Sequence, residues 1–242
     1  RGHSRLILLV LLLCGAVVRA APATSTLTVR EIASWDGVPL NVIEAGNPAG
    51  VPILLLHGYS QSYLSWHEQL VDPELTRRFR LVALDLRGHG ASGKPWDAAS
   101  YAGHLPWARD LRTVIERLGL QRPWLVGWSF GGFVAMDYLR EYGGDAVAGV
   151  VLAGSHGGLL PRDASTPRRY TGDLDQAIAG ARQFMSLMSA NPVSPAAVER
   201  GTFASVMLPP YVRNAMAGKR LDNTDLVDRL ELPILMILGS GT

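Results

Sequence analysis

Residues 125–132 read LVGWSFGG, an apolar run that breaks on Gly127-Trp128-Ser129-Phe130-Gly131 and continues as FGGFVAMDYLREYGG. The first half suits a buried strand and the second has helical spacing. A strand that turns straight into a helix leaves no loop, so the corner residue, Ser129, must take a strained backbone conformation. Side chains two residues either side would collide, which accounts for Gly127 and Gly131. Such a corner lifts the Ser129 hydroxyl above the sheet at a helix N-terminus, where free N–H groups and the helix dipole favour a developing anion. G-x-S-x-G between a buried strand and an amphipathic helix is the setting of a serine nucleophile. A serine in a chance strand–turn–helix is the plain alternative, and the context speaks against it.

A tetrahedral oxyanion on such a serine needs two hydrogen-bond donors. One is expected to be the N–H of the next residue, Phe130; the other should come from the loop after an earlier strand, here HGYS at 57–60. Gly58 lets the chain turn there, which would bring the Tyr59 N–H beside Ser129. His57 ends its strand and is read as a residue that hydrogen-bonds locally and shapes the loop, not as a base.

Outward from this corner the chain alternates. LTVREIAS and VPLNVIEAG flank the turn dipeptide Asp36-Gly37 and read as a β-hairpin. VPILLLHG (51–58) and RLVALDL (80–86) are continuous apolar runs, as for strands buried on both faces. SYLSWHEQLVDPEL has helical spacing broken near Pro73, and WARDLRTVIERLGL sets Ala108, Leu111, Val114, Ile115 and Leu118 on one face before Gly119. PWLVGW and VAGVVLAG are further strands. This rhythm predicts βαβ units on a mostly parallel sheet with helices on both faces. It stops at Gly158. From Leu159 to Asp228 the chain is helical and proline-punctuated, and strand character returns at LPILMILGSG. The expected organisation is therefore a leader at 1–20, a core at 21–158, a helical insertion at 159–228 and a further core strand at 229–242.

DLRGHGASGKP (85–95) contains both G-x-G-x-x-G and G-x-x-x-x-G-K. A phosphate site would need a helix starting at the last glycine. Pro95 follows instead, standing where a P-loop has its magnesium-binding hydroxyl, and WDAASYAGHLP runs on as irregular loop. The glycines are expected to permit a tight turn, fixed by Asp85 and Arg87.

Composition narrows the remaining classes. The 242 residues are 48% hydrophobic and 18% charged, with no repeat or low-complexity tract, which suits one globular domain. A net charge of +2, with scattered basic residues, excludes a polyanion-binding stripe. Arg1 and Arg5, the run LILLVLLLCGAVV and the small residues before Ala21 have the layout of a secretory signal, and the run is shorter than the ~20 residues a membrane span needs. A lipoprotein reading around Cys14 is weak because Leu13 precedes it. Cleavage after Ala20 would give an exported protein, remove the single cysteine with the leader, and change +2 to −1 by removing Arg1, Arg5 and Arg19. Disulfides, Cys-ligated metal and Cys nucleophiles are then excluded.

LLLHGYSQS, LDLRGHGASGKP and LVGWSFGG, in this order and at these intervals, resemble the α/β-hydrolase superfamily. More narrowly they are similar to the single-domain bacterial esterases related to cofactor-free haloperoxidases, from about Leu27 to the C-terminus. The resemblance implies Ser129 as nucleophile, Tyr59 and Phe130 as oxyanion-hole donors through their backbone N–H groups, and the 159–228 insertion as a cap over the acyl pocket. It implies no cofactor and no metal, a small-molecule ester as substrate, no nucleic acid partner and no lasting membrane association. It also places the catalytic acid a few residues past Gly239 and the histidine after one further strand, so the 242-residue chain is expected to be inactive and its last strand and helix to be missing. His156 and the carboxylates Asp222, Asp225 and Asp228 are weaker candidates, the last three read as solvated charges. Met185, Met188, Met207 and Met216 with Phe184, Phe203 and Tyr211 could line a pocket, though core packing is preferred for most. Arg168-Arg169 reads as a solvated face.

These observations point to an exported serine hydrolase acting on carboxylic esters. Perhydrolysis of the same acyl-enzyme by H₂O₂ is the second reading, and a non-catalytic binding protein on this scaffold the third. Epoxide hydrolases and dehalogenases are disfavoured, since their corner residue is Asp.

Overall fold

The computed structural model describes residues 26–160, 172–188, 191–217, 219 and 221–239. The leader at 1–20, Cys14 and Arg168-Arg169 lie outside the described residues.

β1 (Thr28–Ala33) and β2 (Pro39–Gly46) form the expected antiparallel hairpin, in register from Thr28↔Glu44 to Ala33↔Pro39. Its turn places Gly37 at φ 83°. After β3 (Val51–Leu56) come two short helices, α1 (His67–Val71) and α2 (Pro73–Arg78). They are split at Asp72, whose carboxylate caps α2 by accepting from the Glu74 and Leu75 N–H groups, both at 2.9 Å. β4 (Phe79–Leu84), α3 (Leu105–Arg117), β5 (Trp124–Trp128), α4 (Phe130–Tyr142) and β6 (Gly149–Ala153) follow in the expected alternation. The insertion contributes α5 (Leu174–Leu187), α6 (Pro195–Val206) and α7 (Pro210–Met216) before β7 (Ile234–Ile237).

The seven strands lie in the order β1-β2-β4-β3-β5-β6-β7. β2 pairs antiparallel with β4, and every pair from β4 to β7 is parallel. The sheet is covered on both faces, and the apolar runs divide between them by strand alternation. Leu54, Leu56, Val82, Leu84 and Leu125 face α3 and α4, packing with Trp107, Leu111, Val114, Val134 and Tyr138. Leu55, Leu81, Ala83 and Ile43 face the other way, against Trp66 and Leu70. This explains why β3 carries no polar residue and β4 only Arg80, near its start, which pairs with Glu44.

In the insertion, α5 meets α6 where Met185 lies over Gly201; a Cβ there would come within 2.2 Å of the methionine. Met185 and Met216 are buried, but Phe184 and Phe203 are exposed. Core packing thus accounts for two of the methionines and not for these phenylalanines. Asp225 is not a merely solvated charge, because Arg140, near the end of α4, reaches it and donates to both carboxylate oxygens at 2.7 and 2.8 Å. Asp222 accepts from the Thr224 N–H and hydroxyl, and Asp228 stays exposed. No helix of the described residues is long and apolar enough to cross a membrane.

Candidate active site

Ser129 stands between the end of β5 and the first residue of α4 with φ 49° and ψ −114°, a conformation that L-residues with a side chain avoid. Its N–H donates to the Ala153 carbonyl at 3.0 Å and its carbonyl accepts from the Gly132 N–H at 3.1 Å, so the neighbouring strand and the helix clamp the corner from both sides. The glycines are required, for a reason more specific than crowding around the serine. A Cβ on Gly127 would lie 2.5 Å from the Gly132 nitrogen, inside the α4 backbone. A Cβ on Gly131 would lie 2.2 Å from the Leu56 carbonyl oxygen, at the end of β3. The first glycine lets the helix fold back on its own strand, and the second lets it pass the neighbouring one.

β3 and β5 are adjacent, with Leu56 opposite Gly127, so the loops leaving their ends meet. A Cβ on Gly58 would sit 3.0 Å from the Trp128 ring and 3.4 Å from the Ser129 Cβ. Tyr59 follows directly, and Ser60 at φ 56° turns the chain away. Phe130 opens α4, and the first N–H groups of a helix have no intrahelical partner. The structure thus brings together Ser129, Phe130 and the Gly58–Tyr59 peptide.

His57 is fully buried and holds that peptide. The Leu86 N–H donates to its Nε2 at 3.0 Å, which puts the proton on Nδ1, and Nδ1–H donates to the Gly58 carbonyl at 2.8 Å. In a trans peptide the carbonyl and the following N–H point in opposite directions, so fixing the Gly58 oxygen fixes the plane that carries the Tyr59 N–H. Burial lowers the pKa of His57 despite the nearby Asp85, keeping it neutral. With both nitrogens engaged it has no lone pair to offer Ser129.

The glycine loop is a structural turn. The Asp85 carboxylate accepts from Tyr63 N–H (2.6 Å), Ala91 N–H (2.8 Å) and Asn41 Nδ2 (2.8 Å). Gly90, at φ 47°, is pressed so closely on this carboxylate that a Cβ would come within 2.1 Å of it. Arg87 is fully buried and makes a two-pronged pair with Asp110 at 2.6 and 2.7 Å, with Asp36 at 3.1 Å as second carboxylate and the Ser100 carbonyl at 3.0 Å as third partner. Lys94, the residue that would meet a phosphate in a P-loop, donates instead to the Gly90 and Ser92 carbonyls at 2.6 and 2.9 Å.

His156 lies on the loop after β6, where its Nδ1 accepts from the Gly158 N–H at 3.1 Å, leaving the proton on Nε2 in the neutral ring. Among the described residues, no imidazole or carboxylate hydrogen-bonds the Ser129 hydroxyl, and no group of three or more His, Cys, Asp and Glu residues is placed to hold a metal.

Two buried features escaped the sequence reading. His89, in the middle of the glycine loop, is fully buried. Asp137, on the inner face of α4, forms a buried ion pair with Lys219, whose ammonium also donates to the Gly103 carbonyl at 3.2 Å and lies 5.4 Å from the Trp107 ring. Burial pushes the Asp137 pKa up to about 7 against the pull of Lys219, and burial lowers that of Lys219. A lone acid within FVAMDYL was a legible signal for one half of this pair; nothing in the sequence marks the other.

A mostly parallel sheet with a serine corner after β5, faced by a Gly-containing loop from the adjacent strand β3, defines the fold of a hydrolase family. Residues 51–185 match the α/β-hydrolase fold family, to which this chain belongs. It is 34% identical over 122 residues to the AB hydrolase superfamily protein YisY of Bacillus subtilis, a match covering 50% of this chain and 43% of that protein, so the alignment spans less than half of that relative's length. It is 27% identical over 226 residues to the bifunctional esterase/perhydrolase DCH of Acinetobacter calcoaceticus, covering 86% and 80%. Among solved structures, the esterase RhEst1 from Rhodococcus sp. ECU1013 superposes with a TM-score of 0.77 at 33% identity, covering 88% of this chain and 80% of that one. Epoxide hydrolases also share the fold.

Proposed function

We propose that this protein hydrolyses carboxylic esters of small molecules through an acyl-enzyme on Ser129. The observation that carries the reading is the strained corner at φ 49°, with Phe130 opening α4 on one side and the Gly58–Tyr59 peptide against Ser129 on the other. In this reading the Ser129 oxygen attacks the ester carbonyl, the backbone N–H groups of Phe130 and Tyr59 stabilise the oxyanion, and the alcohol leaves. Water then releases the acid. His57 acts as a positioning residue, keeping the Gly58–Tyr59 peptide turned. Among the described residues no side chain reaches the Ser129 hydroxyl as a base, so the test is made on the full-length protein. The esterases among the relatives, together with serine at the corner, favour this chemistry over epoxide opening.

Similarity over 226 residues to an esterase/perhydrolase favours one further reading, in which H₂O₂ replaces water and releases a peracid from the same acyl-enzyme. Peracid formation from an acetate ester and H₂O₂ distinguishes the two. For both, Ser129→Ala in the full-length protein should lower turnover of p-nitrophenyl esters by about 10⁴-fold or more and abolish labelling by a fluorophosphonate. Undiminished labelling of the variant would place the nucleophile elsewhere.

A further inference from the structure

The loop that carries the Tyr59 N–H is tied to the insertion as well as to the core. On the core side, the Tyr59 ring meets Phe130 edge-on at 6.2 Å and His89 edge-on at 6.3 Å. His89 adds packing alone, since its Nε2 has no hydrogen-bond partner among the described residues. From the insertion, the Arg213 guanidinium on α7 stands over the same ring, 5.8 Å from its centroid, close enough for a cation–π attraction. The next two residues are held by α6. The Ser205 hydroxyl donates to Ser60 Oγ and Gln61 Nε2 donates to the Gly201 carbonyl, both at a long 3.4 Å. Ser60 sits at φ 56°, a conformation that a residue with a side chain keeps only where its surroundings enforce it.

Arg213 is itself anchored. Its Nη2 donates to the Ser205 carbonyl at 2.5 Å and to Ser205 Oγ at 3.2 Å, and its Nε to the Leu208 carbonyl at 3.1 Å. Ser205 lies in the last turn of α6, whose carbonyls have no intrahelical partner, so the guanidinium is pinned to that helix end. A pinned cation holds a ring better than a swinging one. His57 fixes the Gly58 carbonyl, at one end of the peptide that carries the Tyr59 N–H. The Tyr59 side chain, held by Arg213, steadies the other end. An oxyanion donor contributes only while it stays aimed at the developing charge.

We propose that Arg213 is a positioning residue for ester hydrolysis, which holds the Tyr59 ring from the insertion and so keeps the Tyr59 N–H aimed at the oxyanion. The inference rests on the acyl-enzyme reading above. It makes the insertion a contributor to kcat as well as a neighbour of the site. The effect is smaller than loss of a whole donor, which costs about 10²–10³ in kcat, because the N–H remains and only its aim is loosened.

The test measures kcat and KM for p-nitrophenyl acetate on the full-length protein. Arg213→Met removes the cation and should lower kcat roughly tenfold, with KM changed by less than about twofold. Tyr59→Leu keeps the backbone N–H but removes the ring, and should lower kcat by a similar factor. The double variant should be no slower than the slower single variant, because both changes remove the same contact. Arg213→Gln, neutral but still able to donate to the α6 carbonyls, replaces the methionine variant in the cycle should that one fail to fold. An unchanged kcat in the Arg213 variant overturns the proposal, as does a loss confined to KM. Losses that multiply in the double variant also overturn it, since Arg213 would then act through something other than Tyr59. An unchanged kcat in Tyr59→Leu does so whether or not either Arg213 variant folds. Fluorophosphonate labelling of the wild type is followed in parallel: its absence sinks the acyl-enzyme reading and this inference with it, whereas labelling with unchanged kcat in the variants sinks the inference alone.

Discussion

Ser129 is one of three described non-glycine residues at positive φ, with Ser60 and Arg122, and the one at the strand–helix corner. Its conformation costs about 1–3 kcal/mol for a residue with a side chain and almost nothing for glycine. Ser129→Gly should therefore raise stability by about 1 kcal/mol, read as a higher urea midpoint, while ester turnover is lost; Ser129→Ala, which keeps the Cβ, should leave the midpoint nearly unchanged. An unchanged midpoint in the glycine variant would show that the corner is relaxed. The two buried histidines act on stability through pH. His57 and His89 are kept neutral in the fold by burial, whereas in the unfolded chain they bind a proton below about pH 6.5. The unfolded state then holds more protons, so stability is lost as pH falls through 6.5, with a slope of up to about 1.4 kcal/mol per unit for each group. Replacing His89 with leucine should flatten that acid limb in urea titrations between pH 7 and 5. The positions of Ser129 and Gly127 were legible at this scale because a tight turn leaves its requirements in neighbouring letters, whereas Gly131 was legible from the motif but answers to the distant Leu56 carbonyl. The burial of His89 was not, because a histidine among glycines reads as loop surface.

The corner works because three elements approach within van der Waals distance. Gly131, in the first turn of α4, lies against the Leu56 carbonyl, so this one contact sets how closely helix and strand pack. Gly131→Ala should cost at least about 3 kcal/mol or abolish folding, since the obstacle is backbone and cannot rotate away. Gly180, on the outer side of α5 with open space around it, is the control; alanine there should be neutral or slightly stabilising. A Gly131→Ala midpoint within the error of wild type would mean that α4 can shift. The glycine loop shows the converse at the same scale. Its spacing imitates two nucleotide motifs, yet each glycine answers to a protein neighbour: Gly90 to the Asp85 carboxylate, Gly88 to Val212 and Tyr101, Gly93 to Pro39 and Val38. Similar local needs for close approach produce similar letters, and the absence of a following helix, with Pro95 in place of the magnesium-binding hydroxyl, separated the readings.

At the scale of the whole molecule, the segment after α7 is fastened to the core beneath α4. Lys219 pairs with Asp137, and Asn223 donates through Nδ2 to the Gly157 carbonyl at 2.8 Å. Removing one partner of a buried pair strands the other charge, so Asp137→Leu or Lys219→Met alone should cost about 3–5 kcal/mol, whereas the double variant should recover most of it. Additive losses in that cycle, measured by chemical denaturation, would mean the two groups do not stabilise each other. By itself the sequence determined the alternation of strands and helices, the buried strands, the corner at Ser129 and the refusal of a phosphate site. All of these follow from the period of apolar residues or from clashes among residues close in the chain. Only the tertiary structure decided that β3 lies between β4 and β5, bringing Gly58 to Ser129, and that Arg140 reaches Asp225. It alone decided that Asp137 finds Lys219 and that one edge of His89 is left without a partner. Those contacts join residues far apart in the chain, and no local pattern encodes which distant neighbour will neutralise a buried charge or complete a hydrogen bond.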